Sequence, residues 1–445
     1  MNILFISLGC DKNLSDSEEM LGLLTERGHN IVNSEEEADA IVINTCCFIH
    51  DAKEESVETI LEMAEYKKAG SLKALIVTGC MAQRYKEEII QEIPEVDAVL
   101  GTTSYVDIVK ALDEVLKGKS FQEFRDINEL PAVSASRVLT TGGHFGYLKI
   151  AEGCDKHCTY CIIPSLRGRF RSIPEERLIQ QAEYMASQGV KELILVAQET
   201  TVYGTDIYGK KTLHLLLKKL CGIKGIRWIR VLYCYPEEIY DELIQVMKEE
   251  KKICHYLDLP IQHASDRILK RMGRRTSKEQ LVEIIGKLRR EIPDIILRTT
   301  LITGFPGETE EDHQELMEFV DEMEFDRLGV FTYSAEEGTP AASMDGQIPE
   351  ELKEARRDEL MELQQEISLE KGNERIGQEL LVMIEGKVSG ESAYIGRTYG
   401  DAPNVDGYLF VQTGELLMTG DFAKVRVTGA MEYDLIGELA DEYTE

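Results

Sequence analysis

The segment GCDKHCTYCIIPSLRGRFRS sets Cys154, Cys158 and Cys161 at C-x-x-x-C-x-x-C spacing. A tight loop with this spacing can turn three thiolates onto one cuboidal 4Fe-4S cluster and leave the fourth iron without a protein ligand, open to a substrate or cofactor. Zinc is the alternative, with His157 as the fourth donor. Structural zinc sites usually pair two such knuckles, however, and no second knuckle lies nearby in the chain. Three core cysteines would be the bland reading, and the charged and polar residues around them argue against it.

A second set follows a different rule. Cys10, Cys46 and Cys80 each close an apolar run, FISLGC, IVINTC and LIVTGC, and they recur at one strand–helix–strand period. In a parallel sheet the carboxyl ends of the strands share an edge, and ligands collect in the crevice outside it. A buried cysteine acting as a small hydrophobe explains any one of them. Three in register, two preceded by glycine for close backbone approach, predict a second cluster with an open iron. Adjacent Cys47 points to the other face of an extended chain and is assigned to packing. Cys221, Cys234 and Cys254 have no ligand spacing and are assigned to the core.

The elements that must position these thiols follow from the apolar pattern. Residues 1–120 alternate strand-like runs with amphipathic helical stretches, the pattern of a parallel sheet with crossover helices. Ser15 or Asp16 is expected to cap the first helix and Gly28 to end it. After a linker at 121–140 the alternation resumes over 141–372 with six strand–helix units, which suit a partial barrel better than a closed eightfold one. A charged helix from about Pro349 to Gly372 connects to residues 375–442, short strands with glycine-bearing turns that predict a small antiparallel β-barrel of OB-like type. The expected fold class is therefore α/β: a parallel-sheet domain, a partial (βα)6 barrel and a small β-barrel.

Composition bounds the setting. The chain has 445 residues, 43% of them hydrophobic, ten cysteines and a formal charge of −31. No run is long enough to span a bilayer, and the N-terminus MNILFISLGC has neither a basic leader region nor a small-residue cleavage site. A cytoplasmic protein is expected, with its thiols reduced and no membrane partner. The acidity is spread along the chain, with 4 basic against 13 acidic residues in 376–445. Such a surface repels phosphate backbones and attracts basic proteins, so the small barrel is not expected to bind RNA. Arg167, Arg169, Arg171, Arg271, Arg274 and Arg275 are expected to pair with neighbouring carboxylates.

The loop of Cys154, Cys158 and Cys161 matches the signature of the radical S-adenosylmethionine (SAM) superfamily, which this chain therefore resembles. The resemblance implies that the open iron chelates the methionine part of SAM and that an electron from the cluster cleaves SAM to a 5′-deoxyadenosyl radical. Tyr160 sits where the family contacts the adenine, and Gln198 of Ala197-Gln198-Glu199 stands at a SAM-contact position. The run from Thr300 to Glu308 resembles the family's G-x-I-x-G-x-x-G-E strand, with Thr300 replacing the first glycine.

With the N-terminal three-cysteine domain and a barrel of TRAM type at the C-terminus, the whole chain resembles the methylthiotransferase family. LGCDKNLSDSE, INTCCFIHDAKEES and GRTYGDAPNVDGYLF are similar to the branch that modifies ribosomal protein uS12, with Asp11 where that branch more often has proline. The resemblance implies β-methylthiolation of a uS12 aspartate by two 4Fe-4S clusters. The cluster of Cys154, Cys158 and Cys161 would abstract hydrogen, the cluster of Cys10, Cys46 and Cys80 would handle sulfur, and a second SAM would supply the methyl group. That C–H bond has no acidity a side-chain base can exploit at neutral pH, so a radical route is physically sensible. The electron donor and sulfur source are not identified by the sequence. The competing functions are a tRNA adenosine methylthiotransferase and, more remotely, a non-catalytic iron–sulfur electron carrier.

Overall fold

Strands apolar on both faces need cover on both sides, and the runs NILFIS, AIVINT and ALIVTG receive it in a sheet flanked by helices. The computed structural model describes residues 1–131 and 137–440. Positions 132–136 of the expected linker, and 441 and 442 of the expected barrel, lie outside the described residues. The first sheet contains β1 (Asn2–Ser7), β2 (Asn30–Val32), β3 (Ala40–Thr45), β4 (Ala74–Gly79), β5 (Ala98–Leu100) and β6 (Phe121–Glu123). All are parallel, in the order β2-β1-β3-β4-β5-β6. Its last strand, Phe121–Glu123, thus lies within the expected linker.

The second sheet begins at β7 (Phe145–Lys149) and is followed by a two-residue ribbon of β8 (Ala151–Glu152) and β9 (Arg171–Ser172). It continues through β10 (Glu192–Val196), β11 (Trp228–Val231), β12 (Ile253–Asp258), β13 (Ile296–Thr303) and β14 (Arg327–Thr332). These six strands are parallel and sequential, and the sheet stays open between β7 and β14. A 25-residue helix, Glu350–Glu374, leads to a closed five-stranded barrel. The barrel comprises β15 (Glu379–Lys387), β16 (Ala393–Arg397), β17 (Leu409–Gln412), β18 (Phe422–Ala430) and β19 (Leu435–Leu439). Four of its pairings are antiparallel, and a parallel pairing of β17 with β19 completes the closure.

The first helix corrects the expectation for its start. Helix α1 spans Asp11–Glu26 with Cys10 at the N-cap, so Ser15 and Asp16 lie inside it, while Gly28 follows its end at φ 82°. Their polar side chains are used in tertiary contacts instead: Ser15 Oγ accepts from Arg137, and Asp16 pairs with Arg167 and Lys149. Eleven of the sixteen residues of α1 are buried, because the helix is sandwiched between the first sheet and β7.

The small barrel docks into the concave face of the second sheet. Glu192 of β10 lies between two guanidiniums, Arg230 at 2.8 Å and Arg397 of β16 at 2.7 Å, and all three side chains are fully buried. Asp406 accepts from Tyr256 at 2.7 Å and faces Arg298 at 3.3 Å, and Phe422 meets Trp228 edge-to-face with centroids 4.8 Å apart. The motif GRTYGDAPNVDGYLF is therefore largely a docking segment. Burial works to raise the Glu192 carboxyl, but Arg397 and Arg230 overcome it and hold the group below its ordinary value of 4.5. A carboxylate depressed in the folded state contributes stability that is complete above that ordinary value and lost as pH falls through the depressed one.

Glu192→Ala leaves two buried guanidiniums facing each other, and we expect a loss of about 3–5 kcal/mol of docking stability. A fall in melting temperature with faster proteolysis of the barrel checks this. In wild type the same loosening is expected only on acidification below pH 4.5.

Candidate active site at the boundary of two sheets

The first triad is set by adjacent strands. Cys46 follows Thr45 of β3 directly, and Cys80 follows Gly79 of β4 directly as the first residue of the helix Cys80–Tyr85; Thr45 and Gly79 are register partners. Cys10 comes three residues after β1, whose Ser7 is in register with Asn44. Neighbouring strands run about 4.8 Å apart, so the three thiols share one edge. Gly9, at φ 87°, makes the approach possible, because a Cβ there would lie 2.6 Å from the Cβ of Cys46 and 2.8 Å from its sulfur. Ser56 Oγ clamps Cys46, accepting from its N–H at 3.0 Å and donating to its carbonyl at 2.8 Å. Cys10 is exposed, whereas Cys46 and Cys80 are buried, so the triad opens to solvent on one side.

Burial, reinforced by Cys80 and Cys10, pushes the Cys46 thiol up to about 12. Cys80 is also raised by burial, opposed by the Arg167 guanidinium, whose Nε donates to its sulfur at 3.4 Å. Neutral thiols of this kind must lose their protons to ligate iron, and the positive N-terminus of α1 together with Arg167 assists that loss. Cys47 is fully buried in an apolar cluster with Ile43, Met81 and Ala82.

The second triad lies beyond the end of β7. Cys154 and Cys158 are buried and Cys161 is half-buried. The loop is pinned by Cys154 N–H to Gly168 at 3.1 Å, Thr159 N–H to Met272 at 2.9 Å and Ala341 N–H to Thr159 at 2.9 Å. Burial, then the neighbouring thiols, raises Cys161 to about 12, and burial is the first cause of Cys154 standing at about 11. His157, the extra donor that zinc would need, is exposed, and among the described residues no three His, Cys, Asp or Glu side chains are drawn together as around a bound metal ion, so the thiols of either triad would have to close on a cluster as it binds.

The surroundings suit a zwitterionic amino-acid group. Glu199, which burial raises to about 7, has one oxygen tied to Thr201, while the other faces Lys156 at 3.9 Å and, like Gln198 Oε1, has no hydrogen-bond partner among the described residues. On the Cys158 side, buried Arg274 gives one N–H to Pro260 O at 2.9 Å and leaves Nε and Nη1 unpartnered. Acceptors for an ammonium and donors for a carboxylate thus flank the triad, as the methionine part of SAM requires. Tyr160 is half-buried, edge-on to Phe305 at 6.5 Å and packed near Ile302. Gln198 donates to Glu152 at 3.0 Å.

One short helix joins the triads. Ile163–Arg167 starts two residues after Cys161, and Arg167 reaches the other triad, donating to Cys80 and Asn13 as well as to Asp16 at 2.7 Å and Glu152 at 3.2 Å. Lys149 completes this buried cluster through Asp16 and through Glu152 at 2.9 Å. Burial would raise Glu152, but Lys149 and Arg167 bring it down to about 2. Among the described residues, the expected carboxylate pairing therefore holds for Arg167 alone of the six arginines. Arg171, Arg271 and Arg274 instead donate to backbone carbonyls at loop ends, and Arg169 and Arg275 are exposed.

Sequence reasoning missed Asn13, Lys149, Glu152, Tyr233 and Tyr235. The signal for Asn13 was its place in LGCDKNLSDSE; the others carry no local signature. Tyr233 and Tyr235 follow β11, and they face different triads: Tyr233 Oη donates to Asp11, beside Cys10, at 3.1 Å, and Tyr235 Oη lies 3.7 Å from the Cys158 sulfur.

Three family models match the chain: Uncharacterized protein family UPF0004 over residues 2–101, Radical SAM superfamily over 148–320, and TRAM domain over 376–440. The ribosomal protein uS12 methylthiotransferase RimO of Lachnoclostridium phytofermentans is 66% identical over 437 residues, 98% of this chain and 99% of that protein. The protein of the same name from Pelotomaculum thermopropionicum is 52% identical, covering 97% of this chain and 98% of its own. Among solved structures, the radical SAM methyltransferase TsrM of Kitasatospora setae with cobalamin and a 4Fe-4S cluster superposes with a TM-score of 0.56 at 12% identity, over 76% of this chain and 73% of that one. That likeness is one of fold.

Removing the guanidinium in Arg167→Met leaves two buried carboxylates to one ammonium, and we expect a loss of about 3–5 kcal/mol. Hydrogen exchange should rise together over 11–26 and 163–167. Arg167→Lys should recover part of the loss, since it restores the charge but not the fork.

Proposed function

The chain belongs to the ribosomal protein uS12 methylthiotransferase family, and on that premise we propose that it replaces a β C–H bond of a uS12 aspartate with C–S–CH3, using SAM and two 4Fe-4S clusters. Cys154, Cys158 and Cys161 would hold one cluster and Cys10, Cys46 and Cys80 the other. When bound, the clusters and SAM supply radical C–H activation, sulfur and the methyl group. The chain's own part is to place the two centres and the substrate. Glu199 and Gln198 offer acceptors to the SAM ammonium, Arg274 offers donors to its carboxylate, and Tyr160 offers a ring beside the adenine position. Arg167 supports the Cys80 thiolate and, through Asp16 and Glu152, holds the first sheet against the second.

The observation that carries this reading is the continuity from Cys161 through Ile163–Arg167 to Cys80, which brings two thiol triads to one boundary. A protein substrate agrees with the C-terminal barrel, where Arg397 is locked inside the docking network and the three exposed cations, Lys387, Lys424 and Arg426, are outnumbered by acidic residues. No helix among the described residues is long and apolar enough to cross a membrane. A ribosomal substrate places the reaction in the cytoplasm.

Anaerobic enzyme reconstituted with iron and sulfide, then given SAM and dithionite, should add the mass of a methylthio group to uS12 and not to tRNA. Cys154→Ala should abolish deoxyadenosine formation, whereas Cys46→Ala should keep it and form no methylthio product. Mass gained by tRNA would sink the substrate assignment, and product from Cys46→Ala would remove the first triad from the chemistry.

A further inference from the structure

An acidic protein attracts a basic ribosomal protein as a whole, yet it repels the one side chain it must modify, an aspartate. A local cation at the site resolves that conflict. Three lysines are buried among the described residues: Lys12, Lys149 and Lys353. Lys149 faces Asp16 and Glu152, and Lys353 donates to Glu350 and to the Tyr333 carbonyl. Lys12, only 7% exposed, has no ion pair and no hydrogen bond among the described residues; its Nζ rests 3.3 Å from the centroid of the Tyr233 ring.

This lysine is badly placed for stability. It is the second residue of α1, at the positive end of a sixteen-residue helix, where an ammonium is disfavoured. Its partner is strained too. Tyr233 has φ 59°, a left-handed conformation unusual for an aromatic residue, fixed by its N–H to Asp258 at 3.1 Å and by Thr200 N–H to its carbonyl at 3.0 Å. Its hydroxyl donates to one oxygen of Asp11 at 3.1 Å, and that carboxylate forms no ion pair with Lys12 among the described residues.

The placement coincides with the chemistry. Lys12 lies two residues from exposed Cys10, and Tyr233 lies two residues from Tyr235, whose hydroxyl is 3.7 Å from the Cys158 sulfur. The lysine and its aromatic platform therefore occupy the boundary between the triads, where a carbon that meets both centres must sit. A cation held over a ring, with no carboxylate paired to it among the described residues, can take an anion.

We propose that the Lys12 ammonium, presented on the Tyr233 ring, is the binding site for the side-chain carboxylate of the aspartate that the enzyme modifies. It is a specificity-determining residue and rests on the reading that a uS12 aspartate is the substrate. It selects aspartate over its uncharged isostere asparagine, and by its charge it selects against a neutral base as target.

The test uses reconstituted holoenzyme under anaerobic conditions with two ligands, uS12 and uS12 with the modified aspartate changed to asparagine. Wild type should bind the aspartate form about tenfold more tightly or better. Lys12→Met, with iron content matched to wild type, should bring that ratio to about one by weakening the aspartate form alone, and Lys12→Arg should restore most of it. Equal affinity of wild type for both forms overturns the proposal without any variant. Retention of the ratio in Lys12→Met, or equal weakening of both forms, overturns it as well. Failure of the functional reading is seen separately, as absence of a methylthio mass shift on uS12 with wild-type enzyme.

Discussion

The buried charge cluster of Asp16, Lys149, Glu152 and Arg167 is the constraint on which the site depends. Two carboxylates and two cations removed from water are tolerable only as a complete set, since each missing partner leaves an uncompensated charge in a low-dielectric interior. Asp16 belongs to the first α/β unit, while Lys149, Glu152 and Arg167 belong to the second. The two units therefore have one satisfied way to meet. That geometry sets where the edge bearing Cys46 and Cys80 stands relative to the loop of Cys154, Cys158 and Cys161. Arg167 adds a direct contact with the Cys80 sulfur, so the same side chain that closes the interface also touches the donor set.

The same logic recurs where the C-terminal barrel docks. Glu192 between Arg230 and Arg397, and Asp406 between Tyr256 and Arg298, seat the barrel in the concave face of the second sheet. Interaction strength is concentrated in a few buried polar sets, and each holds a neighbouring unit in one orientation. The cost is that these sets are intolerant of truncation. The benefit is that a site divided between two sheets keeps its spacing.

Much of this was legible in the chain. The apolar runs and their spacing implied a parallel sheet, a six-unit partial barrel and a small β-barrel, because strand and helix periods are local properties of side-chain order. The thiol positions were legible for the same reason: Cys46 and Cys80 directly follow successive strands, which this sheet sets side by side. The start of α1 was not legible. Ser15 and Asp16 have the chemistry of capping residues, and only the arrival of Arg137, Arg167 and Lys149 from elsewhere in the chain diverts their oxygens into tertiary contacts. For the same reason the arginines near the second triad divide between carboxylates and carbonyls in a way that composition does not reveal.

By itself, then, the amino-acid order determined the spacing of the thiols, the class of fold and the acidic field, since these follow from residue type and short-range periodicity. The tertiary structure alone decided which side chains face which triad: that Tyr233 turns toward Cys10 and Tyr235 toward Cys158, that Arg167 bridges to Cys80, and that Lys12 is left without a counter-charge. Those facts depend on contacts between residues 77 to 222 positions apart, where the net balance of desolvation against pairing is settled only once the sheets have met.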